Sequence, residues 1–202
     1  MDFNRINGEK LIVGSHPWNA GDIDNLYDNN AVRAIVNLQR SGEPDRGDID
    51  AITARCAQLG NRIWYQREPI HDRDRMSVRE NLPVAVGILN RAIEEKAKIQ
   101  QGTVYLHCCQ GLGRSPSVAA AYLYWFTENM TLDEACRLLI QRRPGSVPYD
   151  DAIRGATYDI LGRNNGQDNF HALPPQAFAT ITADQKRAIQ QNVTGRLAVR
   201  SA

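Results

Sequence analysis

Nothing in these 202 residues is apolar for long enough to cross a bilayer as a helix, which takes about 20 consecutive apolar residues. Charge of one sign is not in excess either. The 24 basic and 23 acidic residues leave +1, so there is no general pull toward nucleic acid or an anionic membrane surface. Cysteine is sparse, and Cys56, Cys108, Cys109 and Cys136 lack the spacing of a disulfide scaffold, so they read as reduced thiols. No second CxxC or HxxxH group stands ready to complete a metal site with His107, Cys108 and Cys109. Adjacent positions at one strand end do not converge easily on one ion. Neither a metal nor another cofactor is therefore expected. Internal repeats are absent. The opening residues, MDFNRINGEK, do not read as a signal or transit peptide, so the expectation is a cytosolic chain or one that begins after a removed targeting segment.

What the chain does have is an average globular composition, 42% hydrophobic and 23% charged, enough for one substantial core. Short β-like runs alternate with helical patterns. KLIVG (10–14), VRAIVNL (32–38), IWYQR (63–67) and TVYLH (103–107) read as strands, being rich in β-branched and aromatic residues. Helices are expected at Asp22 to Asn29 and Asp48 to Leu59. Another is expected from Leu82 onward, where Leu82, Val86, Leu89, Ile93 and Ala97 recur every three or four residues and Pro83 suits a first turn. SPSVAAAYLYWF (115–126) reads as a buried helix. Thr131 to Glu134 forms a capping box for the next helix, and a further one spans roughly Asp150 to Leu161. Such alternation implies an α/β layered sheet. Residues 162–178 are full of breakers and read as a surface segment. Beyond them Ile189, Val193 and Leu197 make an apolar stripe after a second capping box, Thr182 to Gln185. That stripe predicts a C-terminal helix docked on the same domain, since leaving it exposed would invite aggregation. The domain proper is taken as 1–162, and 163–202 as a segment packed against it.

The chemistry concentrates in HCCQGLGRS, His107 to Ser115. Cys-x5-Arg spacing alone means little, for it occurs three times: Cys56 to Arg62, Cys108 to Arg114, and Cys136 to Arg142. The first runs from a helix into a turn. The third lies inside an amphipathic helix whose N–H groups are already bonded. Only the middle one follows a strand and precedes a helix. Gly111 and Gly113 let its backbone take unusual dihedrals and approach a ligand closely. The N–H groups of Cys109, Gln110, Gly111, Leu112, Gly113 and Arg114 can then form an anion-binding nest, reinforced by a helix N-terminus. Arg114 can grip two oxygens with its planar fork. The same field favours a thiolate at Cys108, which has the spacing to Arg114 expected of a nucleophile. Ser115 can hydrogen-bond the sulfur when it leaves, and His107 orients the loop. Displacing an alcohol from phosphate also needs a proton donor. Asp72 and Asp74 in PIHDRDRMS are the candidates, and spacing does not choose between them.

HCCQGLGRS resembles the active-site loop of cysteine-dependent dual-specificity phosphatases. LIVGSHPWNAGDIDNL, VNLQ, HDRD, VRENLPVAV and DAIRGATYDI are similar to the plant and algal glucan phosphatases of the starch-excess type. FHALPPQAF and RAIQQNV resemble the C-terminal segment of their short members, so the likeness runs from about Asn7 to Val199. The resemblance implies a three-layer cysteine-phosphatase fold with a mostly parallel central sheet flanked by helices. It implies hydrolysis of phosphate monoesters on amylopectin-like α-glucans through a phosphocysteine at Cys108, with Arg114 on the phosphate and Asp72, rather than Asp74, as the acid. It implies a monomer in a plastid, if plant-like, or otherwise in the cytoplasm, with no nucleic-acid or membrane partner. Three positions depart from the family pattern. Cys109 and Gln110 stand where a small or polar residue and then alanine usually follow the nucleophile, and Arg73 stands where a sugar-stacking phenylalanine is usual. Trp18, Trp64, Tyr65 and Tyr149 remain candidate sugar contacts beside Arg73. The rival functions are a protein or phosphoinositide phosphatase using the same loop, and an inactive module that only binds phosphate or glucan.

Overall fold

The computed structural model describes residues 1–8, 10–43, 49–162 and 178–200. Five strands form one sheet: β1 (Phe3–Asn7), β2 (Leu11–Gly14), β3 (Val32–Asn37), β4 (Trp64–Arg67) and β5 (Thr103–His107). Their order is β1-β2-β5-β3-β4. β1 runs antiparallel to β2, and the other neighbours are parallel. This is the mostly parallel α/β sheet expected. β5 lies at its centre, with all five residues buried.

Both faces of the sheet are covered, so its inner strands are apolar on both sides. Val104 and Leu106 of β5 face the larger core. Tyr105 between them faces a smaller one with Ile12 and Ile35, as strand alternation requires. The smaller core lies under α1 (Ala20–Asn30) and α2 (Ile49–Leu59). The larger one is closed by α3 (Arg75–Arg91), α4 (Arg114–Phe126), α5 (Leu132–Arg142), α6 (Asp150–Ile160) and α7 (Ala183–Arg200).

Three particulars depart from expectation. β1 gave no signal, because an edge strand reading FNRIN buries little beyond Ile6. α3 begins at Arg75, not near Leu82. Asp74 caps it, its side chain accepting from the Ser77 N–H, and Pro83 falls in the interior. A proline there removes a bond to the carbonyl four residues back and costs about 3 kcal/mol. Burial of Val78, Leu82, Ala85, Val86 and Leu89 outweighs it, at roughly 1.5–3 kcal/mol for each large side chain. Beyond Arg91 the stripe through Ile93 and Ala97 continues as a π-helical stretch, Ala92–Ala97.

The C-terminal stripe docks as its periodicity requires. Ile189 and Val193 are fully buried and Leu197 packs on the larger core. Close approach of α7 to α3 needs Gly87, where a Cβ would stand 3.0 Å from the Val193 carbonyl oxygen. Lys186 Nζ donates to the Thr127 carbonyl at 2.6 Å, at the end of α4. The capping box at Thr131 and Glu134 is formed reciprocally, and so is the one at Thr182 and Gln185. Of the breaker-rich stretch 162–178 read as a surface segment, residues 163–177 lie outside the described residues.

Candidate active site

β5 delivers His107 to the edge of the core, the loop 108–113 follows, and α4 begins at Arg114. The loop lies directly on the end of β2. Gly111 has φ +72°, and a Cβ on it would stand 2.3 Å from the Gly14 carbonyl carbon. Gly14 is as tightly enclosed, since its Cβ would stand 2.3 Å from the Tyr105 hydroxyl. Only two glycines can cross at this distance.

The loop's carbonyls from Cys109 to Gly113 are each held by a residue beyond the loop. The Cys109 oxygen accepts from the His16 N–H at 2.8 Å and lies 2.9 Å from His16 Nδ1. Arg143, buried at the end of α5, donates from NH2 to the Gln110 oxygen at 2.9 Å and from Nε to the Gly111 oxygen at 2.6 Å. The Leu112 oxygen accepts from the Val147 N–H at 2.6 Å, and the Gly113 oxygen from that of Ser117 at 3.0 Å. Among the described residues no N–H from Cys109 to Arg114 donates to a protein acceptor. A run of amides with outward carbonyls and unspent N–H groups, set on a helix N-terminus, is an anion receptor.

Cys108 sits at the base of a cleft of about 830 Å³. Ser115 Oγ donates to its sulfur at 3.3 Å. His107 is fully buried, and burial pushes its pKa down to about 3. An imidazole of that kind is neutral at physiological pH, so it holds the loop and does not carry charge.

Arg114 is fully buried, and its partners revise the expectation of a fork open to ligand. Its NH1 and NH2 meet Glu43 Oε1 and Oε2 at 2.6 and 2.9 Å, a bidentate pair. NH1 also donates to the Ile70 carbonyl at 2.8 Å. Nε lies 3.0 Å from Asp72 Oδ1, out of hydrogen-bond alignment. Cys109 joins this cluster: its thiol donates to Glu43 Oε2 at 2.6 Å and its sulfur accepts from Arg114 NH2 at 3.0 Å.

Asp72 lines the cleft and Asp74 does not, because Asp74 is committed to capping α3. The turn that separates them runs through Arg73, at φ +55°. Trp18 and Tyr149 also line the cleft, as do Arg73, Gln110, Leu112 and Gly113. Trp18 is half exposed and packs against His16 with ring centroids 4.2 Å apart. The Tyr149 ring lies under Arg75, 4.9 Å from the guanidinium carbon. The expectation of sugar contact at Trp64 and Tyr65 finds no support in the cleft. Trp64 packs on the larger core and lines a separate depression beside Ile99. Tyr65 packs on the smaller core, its hydroxyl accepting from Asn37 Nδ2 at 3.0 Å. β4 is an edge strand, and its alternation sends each ring into one of the two helix layers.

Residues 19–154 match the catalytic domain of dual-specificity phosphatases. The chain belongs to the dual-specificity phosphatase family. It is 36% identical over 162 residues to the phosphoglucan phosphatase DSP4 of Castanea sativa, called amyloplastic, a match covering 80% of the chain and 41% of that relative. It is 29% identical over 161 residues to the phosphoglucan phosphatase LSF1 of Arabidopsis thaliana, called chloroplastic, covering 80% of the chain and 26% of that relative. The matches therefore span under half the length of either plant protein. In fold it is similar to PTPMT1, with a TM-score of 0.57 at 16% identity over 99% of both chains. It is also similar to human DUSP28, with a TM-score of 0.54 at 19% identity over 79% of this chain and 95% of that one.

Glu43, Arg143 and His16 escaped the sequence reading. The one signal available was indirect. A guanidinium as deep as Arg114 needs a carboxylate partner, and Glu43 is an acidic residue in the loop that follows the neighbouring strand β3.

Proposed function

We propose that this phosphatase hydrolyses phosphate monoesters on starch-like α-glucans through a phosphocysteine at Cys108. The observation that carries the chemistry is the loop 108–114, with its carbonyls pinned outward around a buried thiol. The glucan assignment is supported by the likeness, over 80% of the chain, to relatives named phosphoglucan phosphatases. Their names also support a plastid location.

In the first step the Cys108 thiolate attacks phosphorus. The sulfur–phosphorus bond forms as the bond to the glucose oxygen breaks, and Asp72, in its acid form, protonates that oxygen. In the second step the Asp72 carboxylate takes a proton from water, whose oxygen attacks phosphorus and returns the thiolate with inorganic phosphate. The loop amides stabilise the oxygens that gain charge in both transition states, joined by Arg114 through its Nε, which makes no hydrogen bond among the described residues. Ser115 holds the sulfur as it leaves. Glu43 fixes the guanidinium plane, and Trp18 and Tyr149 offer rings to a sugar chain, with Arg73 at the rim.

The test is phosphate release from phosphorylated amylopectin, a phosphopeptide panel and phosphoinositides, each normalised to p-nitrophenyl phosphate. Glucan is expected to be the best of the three, and a result in which it is the poorest removes the assignment. Asp72→Ala separates chemistry from substrate choice. It should cost about 10²–10⁴-fold on sugar phosphate and much less on p-nitrophenyl phosphate, whose leaving group needs little protonation. Equal losses on both would remove Asp72 from the acid role.

A further inference from the structure

β5 joins two cavities. Its C-terminal end opens into the catalytic cleft, and its first residue, Thr103, lines a second cavity of about 520 Å³. The two ends are about 13 Å apart, four rises of about 3.3 Å. Three cations line this second cavity, Arg5, Lys10 and Lys98, and among the described residues no carboxylate does. They come from separate places: β1, the turn before β2, and the end of the π-helical stretch. Glu94, one turn before Lys98, pairs with its ammonium at 3.1 Å. The Arg5 guanidinium is positioned by the Asn30 carbonyl at 3.2 Å and Thr103 Oγ1 at 3.4 Å. Ile93, Ala97 and Ala31 supply an apolar wall.

The backbone around this cavity is irregular in four independent ways. Ala31 and Gln101, both in its wall, hold left-handed φ of +54° and +51° without being glycine. The helix beside it is π-wound at Ala92–Ala97. The β1–β2 register shifts between Arg5 and Asn7, and the β3–β5 register shifts between Val32 and Ala34. Left-handed non-glycine residues cost of order 1–3 kcal/mol each and gather at ligand sites, as do π-bulges and β-bulges. Ala31 also ends α1 as its C-cap, and Gln101 lies in the turn that closes the helix on Ala97 and Lys98, so these irregularities place two helix ends and two strand shifts about one cationic cavity, remote from the catalytic loop.

We propose that the cavity bounded by Arg5, Lys10 and Lys98 is a second anion site, built for a small phosphate monoester. Arg5 and the two ammonium groups hold the dianion by charge-assisted hydrogen bonds. The uncharged body lies on Ile93, Ala97 and Ala31, with the Gln101 side chain at its edge. The cavity volume falls in the range of small-molecule sites.

The experiment uses the full chain carrying Cys108→Ser, so that no turnover intrudes, with glucose 6-phosphate and inorganic phosphate as probes. Amide chemical shifts are followed on titration. Both probes are expected to shift Lys98, Gly102 and Thr103 saturably, with a midpoint distinct from that of Gly111 to Ser115. Glucose 6-phosphate should bind the tighter of the two, through the apolar wall. Lys10→Glu with Lys98→Glu, both at exposed positions, should weaken the distal midpoint by about tenfold or more, the loss of at least one charge-assisted hydrogen bond. The midpoint at the catalytic loop should move by less than about twofold, as expected of distant sites. No saturable shift at the distal amides, or one that survives charge reversal, overturns the proposal. Inorganic phosphate binding as tightly as the sugar phosphate also overturns the assignment of a monoester. Because the readout is binding to an inactive protein, it is independent of the catalytic reading.

Discussion

The chain contains the same Cys-x5-Arg spacing at Cys108 and at Cys136, and the two places share nothing else. Cys136 and Arg142 lie on α5, where the backbone donors are spent on the helix itself. Burial there pushes the thiol up to about 12. The same holds for Cys56 on α2. Cys108 lies where a buried strand stops and a helix has not yet begun, and of the three Cys-x5-Arg stretches it alone leaves consecutive N–H groups free to turn toward one point. What distinguishes the site is the fate of its carbonyls. His16, Arg143, Val147 and Ser117 hold them outward, from three different parts of the fold.

The contrast can be broken most severely at the sulfur itself. Cys108→Ser should abolish turnover, with a residual rate below about 10⁻³ of wild type, while phosphate binding persists; phosphate release and isothermal titration read the two effects. Next is the outer clamp. Arg143→Met leaves the Gln110 and Gly111 carbonyls buried without their donors. It should lower stability by about 2–5 kcal/mol, from two bonds to a charged group, and reduce kcat even where the variant is folded at low temperature. Denaturant midpoints and phosphate-release rates check this. Glu43→Gln keeps the shape but removes the charge opposite Arg114. It should cost about 10–100-fold in kcat/KM, equivalent to roughly 1.4–2.7 kcal/mol, with the loss shared by every phosphate ester. The smallest effect belongs to the decoys. Cys136→Ser should leave kcat within about twofold. With thiols pushed up to about 12, Cys56 and Cys136 should also resist iodoacetamide at pH 8 while the native fold persists, as peptide mass mapping would show.

Much of this was legible in the sequence because it is local. β2, β3, β4 and β5 follow from β-branched runs, and the α3 and α7 stripes from spacing. The candidate loop 108–113 follows from glycines between a strand and a helix. Asp72 and Asp74 were inseparable by spacing, and a helix cap separates them: Asp74 spends its carboxylate on Ser77. The start of α3 was missed because the capping aspartate lay eight residues before the apolar stripe seemed to begin. Glu43, His16 and Arg143 were not readable at all. Each acts at a distance of 71, 93 or 32 residues from its partner, and no local pattern encodes a partner that remote. Trp64 and Tyr65 lie away from the cleft that holds Cys108 for a related reason. Strand alternation is readable locally, but which sheet edge β4 occupies is set by its pairing with β3, far in sequence.

The crossing of Gly14 over Gly111 has a practical consequence for mutational scanning. Every substitution at either position would register as loss of activity, so both would score alongside Cys108 although neither carries any reacting group. A ranking of essential residues by tolerance alone would count them as chemistry. Paired measurement of abundance would reassign them to the frame that lets two backbones touch.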